Sequence, residues 1–288
     1  MITPELLADY ACACGENPLW HPFEKKIYWL DIVQPRMFRY DPATGQHEQF
    51  YAGRTIGGFT FQTDGSMLAF MDRGTIAVMR DGKIERVVVD EIPAERESRF
   101  NDVFADTRGR VFCGTMPGPN GPGSLYRLDL DGSLTKVVEN VLCSNGMGFT
   151  PDRKHLYYTD SERYTIYLYD YNEETGSLTN RRVFVEHAPE LGLPDGMTVD
   201  ADGFVWSAHW DGNALYRYDS SGREVMKIAF PVRKVSSVIF GGDDLCDMYV
   251  TTAGGDQKAT DGEHAGALYR LRIPGVRGTP EFLSHVGI

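Results

Sequence analysis

Four short segments of this chain place an oxygen donor at the entry to an apolar run: Glu16 in GENPLW, Asn101 in RFNDVF, Asn145 in SNGMGF and Asp195 in PDGMTV. Carboxylates and carboxamides with no thiolate or imidazole among them suit a hard divalent cation, Ca²⁺ first. Mg²⁺ and Mn²⁺ come close behind, and Zn²⁺ or Fe²⁺ is less well matched. Three or four such ligands leave coordination positions for water and a substrate. Taken singly, an Asn or Asp before Gly is also a common turn residue, because both tolerate left-handed backbone angles. The case for a shared site is that all four fall at one phase of a repeat. Two carboxylates brought together in a channel repel and lose hydration, so their convergence implies a cation or a proton between them.

The repeat is clearest in aromatic strands closed by turns: MFRYDPATG from Met37, TIAVMRDGK from Thr75, SLYRLDLDG from Ser124, TIYLYDYNEETG from Thr165, ALYRYDSSG from Ala214 and ALYRLRIPG from Ala267. Phe38, Ala77, Tyr126, Tyr167, Tyr216 and Tyr269 occupy equivalent positions, at intervals of 39 to 53 residues. That spacing fits a four-stranded propeller blade. Hairpin signals such as Asp106-Thr107-Arg108-Gly109 and Asp200-Ala201-Asp202-Gly203 precede these strands. No window carries sustained helical periodicity. The pattern predicts an all-β, six-bladed β-propeller with four-stranded antiparallel blades, formed as one domain over residues 1–288. The innermost strand of each blade then lines the axis, which brings Glu16, Asn101, Asn145 and Asp195 face to face. The matching positions in the other two repeats are Gly57 and Ser236 or Ser237. Ring closure falls to a strand near either end, Glu5–Ala11 or Glu281–His285.

Twenty-nine basic against 41 acidic side chains give a formal net charge of −12, which disfavours nucleic acid and anionic membranes as partners. The first ten residues lack a basic start followed by an apolar run, and no stretch is long enough to span a bilayer, so a cytoplasmic location is expected. The five cysteines are irregularly spaced, which argues against a disulfide framework or a zinc ribbon. Neither a G-x-S-x-G nucleophile elbow nor a phosphate-cradling G-x-x-x-x-G-K-[ST] loop is present.

Several separated motifs occur in order along almost the whole chain: GENPLWHP, SRFNDVFADTRGRVFCGTM, SNGMGFTPD, LTNRRVF, LPDGMTVDADGFVWSA and PVRKVSSVIFGG. In these the sequence resembles the SMP-30/gluconolactonase/luciferin-regenerating enzyme family, the regucalcin-like sugar lactonases. The resemblance implies a six-bladed propeller binding one divalent metal through Glu16, Asn145 and Asp195. It further implies that Arg99 and Asn101 contact substrate oxygens and that Asp195 doubles as proton acceptor and donor. The expected activity is metal-dependent hydrolysis of a sugar lactone, such as gluconolactone, to the aldonic acid. Animal members carry a glutamate in the blade-three loop that helps to hold substrate. Here that loop reads PGPNGPGS, Pro117 to Ser124, and has no acid.

Two rival readings stand beside this one. The same site suits a phosphotriesterase-like hydrolase of organophosphates, and a propeller can also be a non-catalytic Ca²⁺-binding scaffold. Among the secondary residues, His209 and Trp210 either line the pocket or pack between blades, and Thr251 and Thr252 rank with them. Asp102 is expected to point away from the axis by strand alternation. Asp160 and Glu162 either belong to the mouth or, the preferred reading, sit in a solvated loop.

Overall fold

The structure, a computed structural model, describes residues 2–287. Among these, 24 strands form six four-stranded antiparallel sheets arranged as the blades of a propeller. The inner strands are Gly15–His21, Ile56–Phe61, Phe100–Ala105, Ser144–Phe149, Leu193–Val199 and Lys234–Gly241. The repeated aromatic segments are the third strands, as the alternation of apolar and polar residues predicts. Ring closure uses the N-terminal candidate: Glu5–Asp9 pairs with Ala267–Arg272 as the outer strand of blade six.

Six apolar clusters hold the ring together, one at each seam between successive blades. At the seam of blades two and three, Leu68, Phe70 and Ile76 pack against Phe100, Val111 and Tyr126. Blades five and six meet through Trp206, Leu215, Val238 and Tyr269. Each blade therefore buries both faces against neighbours, and no single blade retains a core of its own.

The other candidate for closure, Glu281–His285, has a different task. This segment crosses the end of the channel where the inner strands finish. Phe282 packs 6.0 Å from Phe149 of blade four, and the Ser284 hydroxyl lies 2.8 Å from that of Thr60 in blade two. The peptide N–H of Val286 donates to Gln62 at 2.9 Å. The segment thus packs across that end of the channel, and the starts of the inner strands lie at the other.

Between blades four and five two imidazoles are buried together. His209 Nδ1 lies 2.9 Å from the Leu191 carbonyl, and its ring sits 4.7 Å from that of His187 and 4.2 Å from Tyr216. Burial pushes His209 down to about 3, with a further contribution from His187, whose own value burial lowers to about 4. The folded protein thus keeps neutral two rings that the unfolded chain protonates near pH 6.5. Their contribution to stability is complete above about pH 6.5 and is lost as the pH falls toward 4. The urea midpoint should drop between pH 7.5 and pH 5. His209→Gln should make that drop shallower even though it lowers the midpoint at pH 7.5. An unchanged slope would show that the pair is not the source.

Ring closure gives a second expectation. Deleting residues 1–9 leaves Ala267–Arg272 as an open edge and removes the Arg270–Glu5 ion pair. The melting temperature should fall by on the order of 10 °C, equivalent to several kcal/mol in a domain of this size. A shift of only a degree or two would mean that the strand does not lock the ring.

Candidate active site

Every inner strand carries one residue more than its partner at its entry. The register shifts lie between Glu16 and Leu19, Ile56 and Gly58, Phe100 and Val103, Ser144 and Met147, Pro194 and Met197, and Val235 and Ser237. A β-bulge bends the strand and re-aims its side chains. The repeated bulge therefore aims one set of side chains into the mouth of the channel.

Glu16, Arg99, Asn101, Asn145 and Asp195 all line one cavity of about 290 Å³ at that mouth. The turn reading of Asn145-Gly146 and Asp195-Gly196 does not hold, since none of these residues has a positive φ. All four lie within strands. Gly146 is needed for close approach instead: a Cβ there would sit 2.6 Å from the Met197 nitrogen and 2.7 Å from the Asp195 carbonyl oxygen of the next blade.

A chain of hydrogen bonds fixes the neutral donors. Arg99 Nη1 donates to the Phe100 carbonyl at 2.8 Å and to Asn101 Oδ1 at 2.6 Å. Asn101 Nδ2 donates to Asn145 Oδ1 at 2.9 Å and to the Ser144 carbonyl at 2.8 Å. Asn145 Nδ2 in turn donates to Ser161 Oγ at 2.7 Å, and Ser161 donates to the Pro194 carbonyl at 2.5 Å. The cavity wall thus links blades three, four and five. Asn145 Oδ1 keeps a second lone pair for another partner.

Beneath the neutral network lies a crowd of acids. Glu16 and Asp195 are 4% and 5% exposed, which removes most of the hydration that would stabilise their charges. Burial raises both carboxyls well above the ordinary range; Asp102 adds to the rise at Glu16, and Glu16 and Asp102 add to it at Asp195. Asp102 itself is pushed up to about 7 by loss of hydration, although Arg99 opposes the shift. Alternation does not settle which way Asp102 points. The bulge between Phe100 and Val103 breaks the two-residue period, and Asp102 lies within electrostatic reach of both axial acids.

Three carboxyls share one guanidinium, Arg99. With no further positive charge they cannot all ionise together, and a divalent cation is the kind of group that would supply what is missing. Among the described residues, no three His, Cys, Asp or Glu side chains converge closely enough to hold an ion by themselves. A cation site here would depend on carboxamide oxygen, which Asn145 provides. The donors present, two carboxylates and an amide facing a water-accessible cavity, suit a hard ion.

Two further aspartates support the site from behind. Asp31 accepts the peptide N–H groups of Ala13 and Cys14 at 3.1 and 3.2 Å, just ahead of Glu16, and is paired with Arg36 at 2.7 Å. Asp160 does the same ahead of Asn145: it accepts from Leu142 and Cys143 and pairs with Arg163 at 3.0 Å. Asp160 is therefore a buried strut and not part of a solvated loop. Glu162, two residues later, lines the cavity.

His209 and Trp210 part company because adjacent residues of a strand face opposite sides. The histidine packs between blades, whereas Trp210 lines the cavity, with Lys234 Nζ 5.3 Å from its ring centre. That ammonium is itself held by Asp261 at 2.5 Å. Thr251 and Thr252 are buried and bonded within blade six, to Ser237 and Ala267. Met116 and Cys143, not singled out from the sequence, complete part of the wall, their sulfurs 3.7 Å apart. No helix is long and apolar enough to cross a membrane among the described residues.

Residues 14–254 match the SMP-30/Gluconolactonase/LRE-like region. The pentonolactonase XacC of Haloferax volcanii is 48% identical over 99% of both chains. Regucalcin of Bos taurus is 31% identical, with 94% of each chain covered. Among solved structures, a luciferin-regenerating enzyme superposes with a TM-score of 0.89 at 26% identity, over 99% of this chain and 100% of that one. With the family's region spanning most of its length and a relative of near-equal length almost half identical to it, the chain belongs to the SMP-30/gluconolactonase/LRE-like family.

Proposed function

We propose that this protein is a divalent-metal-dependent lactonase that opens an aldonolactone to the aldonic acid, with pentonolactones as the preferred substrates. The observation that carries the reading is the convergence of Glu16, Arg99, Asn101, Asn145 and Asp195 on one cavity sized for a single small ligand. The nearly half-identical pentonolactonase supports the choice of a five-carbon sugar acid.

Glu16, Asn145 and Asp195 would hold the ion. Such an ion supplies Lewis acidity toward a carbonyl oxygen and toward water. Arg99 has its Nη1 engaged by Asn101 and the Phe100 carbonyl, which fixes the plane of the guanidinium. Its remaining N–H groups are free to donate to the lactone carbonyl oxygen, and these bonds strengthen as negative charge develops there. Asn101 holds Arg99 in that plane and also ties it to Asn145. Trp210 offers an apolar face for the sugar ring.

No side-chain hydrogen bond holds the Asp195 carboxylate among the described residues; the Gly196 N–H is its donor. Asp195, one of the residues that would hold the ion, would also take the proton of the attacking water. As the new C–O bond forms and the ring C–O bond breaks, the same proton passes to the departing ring oxygen. The net change is addition of one water to the lactone.

Asp195→Ala should lower kcat/KM for a pentonolactone by at least about 10³-fold, with an unchanged circular dichroism spectrum. Turnover near the wild-type rate would remove Asp195 from the reaction. Glu16→Gln should mainly weaken the cation, so that activity returns as more cation is added. A loss that no cation concentration restores would contradict an affinity role. Comparing a pentonolactone, gluconolactone and a paraoxon-type phosphotriester under one metal tests the reaction class. Much faster phosphoester cleavage would overturn the lactonase reading.

A further inference from the structure

The rim of the cavity carries an acid that the chemistry above does not use. Glu162 sits in the short turn Ser161–Arg163 at the end of the second strand of blade four, and its side chain forms part of the cavity wall. The turn is held at several points. The Ser161 N–H donates to the Cys143 carbonyl at 3.0 Å, and Tyr164 closes the turn in the left-handed region, φ 54°, with its N–H 2.8 Å from the Ser161 carbonyl. Ser161 Oγ bridges Asn145 of blade four and the Pro194 carbonyl of blade five. The turn that carries Glu162 is thus tied through Ser161 to the blades on either side of the proposed ion site.

Its carboxylate, in contrast, is exposed and makes no hydrogen bond or ion pair among the described residues. The cation next to it in sequence, Arg163, is already engaged by Asp160 at 3.0 Å and by the Asn140 carbonyl at 3.1 Å. Glu162 is also set apart from the floor of the cavity. Its charge reaches the Cys143 thiol in the wall, after the larger effects of burial, Asp195 and Arg99. The loop of blade three, Pro117 to Ser124, has no acid to offer. Glu97, which accepts an amide N–H from Asn120 of that loop at 3.2 Å, is not part of the cavity wall.

An unpartnered carboxylate on a fixed turn, facing a small cavity, is an acceptor awaiting donors. The ring hydroxyls of a sugar lactone are such donors, and the reacting carbonyl is not. We infer that Glu162 is a specificity-determining residue that accepts hydrogen bonds from substrate hydroxyls at the mouth of the cavity. The inference rests on the lactonase reading. It assigns Glu162 a part in binding and none in proton transfer.

The test compares wild type, Glu162→Gln and Glu162→Ala on two substrates, a pentono-1,4-lactone and γ-butyrolactone, which has the same ring without hydroxyls. For Glu162→Ala the KM for the pentonolactone should rise about tenfold with kcat within about twofold, as expected when a charge-assisted bond is made equally in the ground and transition states. Glu162→Gln, which keeps a carbonyl acceptor, should show a smaller rise. For γ-butyrolactone neither variant should differ from wild type. An unchanged KM for the pentonolactone overturns the assignment. So does an equal rise for both lactones, or an effect that high salt abolishes, since each would mark a role of shape or long-range charge. A wild-type enzyme that cleaves neither lactone would overturn the underlying lactonase reading instead.

Discussion

The site turns on the repulsion among three acids, Glu16 and Asp195 buried and Asp102 half-buried, where the blades converge. Glu16, Asp102 and Asp195 come from blades one, three and five, and no folding preference of those blades requires carboxylates at the axis. Isolated charges of this kind are costly away from water, and a single guanidinium does not balance three of them. The architecture is arranged to bear that cost. Bulges aim the side chains, the amides of Asn101 and Asn145 tie neighbouring blades, and Asp31 and Asp160 brace the segments that precede Glu16 and Asn145. A propeller suits the purpose because its rigidity comes from the apolar seams, which leave the inner strands free to carry polar groups.

Division of labour between the two ends of the channel follows from the same constraint. At one end Glu281–His285 packs across the strand ends, with Phe282 against Phe149 and Ser284 bonded to Thr60. At the other end the strand entries stay accessible. The cavity at that end opens onto the axial acids, and Trp210 and Glu162 form part of its wall.

Much of the architecture was legible in the residues. Tyr126, Tyr167, Tyr216 and Tyr269 mark third strands because a half-buried antiparallel strand keeps its two-residue period, and the recurrence of that strand gives the blade count. The phase of Glu16, Asn101, Asn145 and Asp195 was equally readable, since one repeat position maps to one place in the ring. Alternation was an unsafe guide for Asp102 for a definite reason: the extra residue between Phe100 and Val103 shifts the period locally, and nothing in RFNDVF announces it. His209 and Trp210 could not be separated without knowing which face of their strand met the channel. Asp160 and Glu162 gave no signal of their different fates, because the partners that decide them, Cys143 and the cavity wall, are set by the ring and not by neighbouring residues. The C-terminal crossing was hidden for the same reason; it stands outside the repeat.

The central claim is that the axial acids are gathered around a cation, and diffraction locates an ion most directly. Crystals soaked in Mn²⁺ should show one strong anomalous peak within about 2.5 Å of oxygens from Glu16, Asn145 and Asp195, the range of hard-ion coordination. A map with no peak at the mouth, or with the ion elsewhere while these three side chains keep their places, would contradict the account.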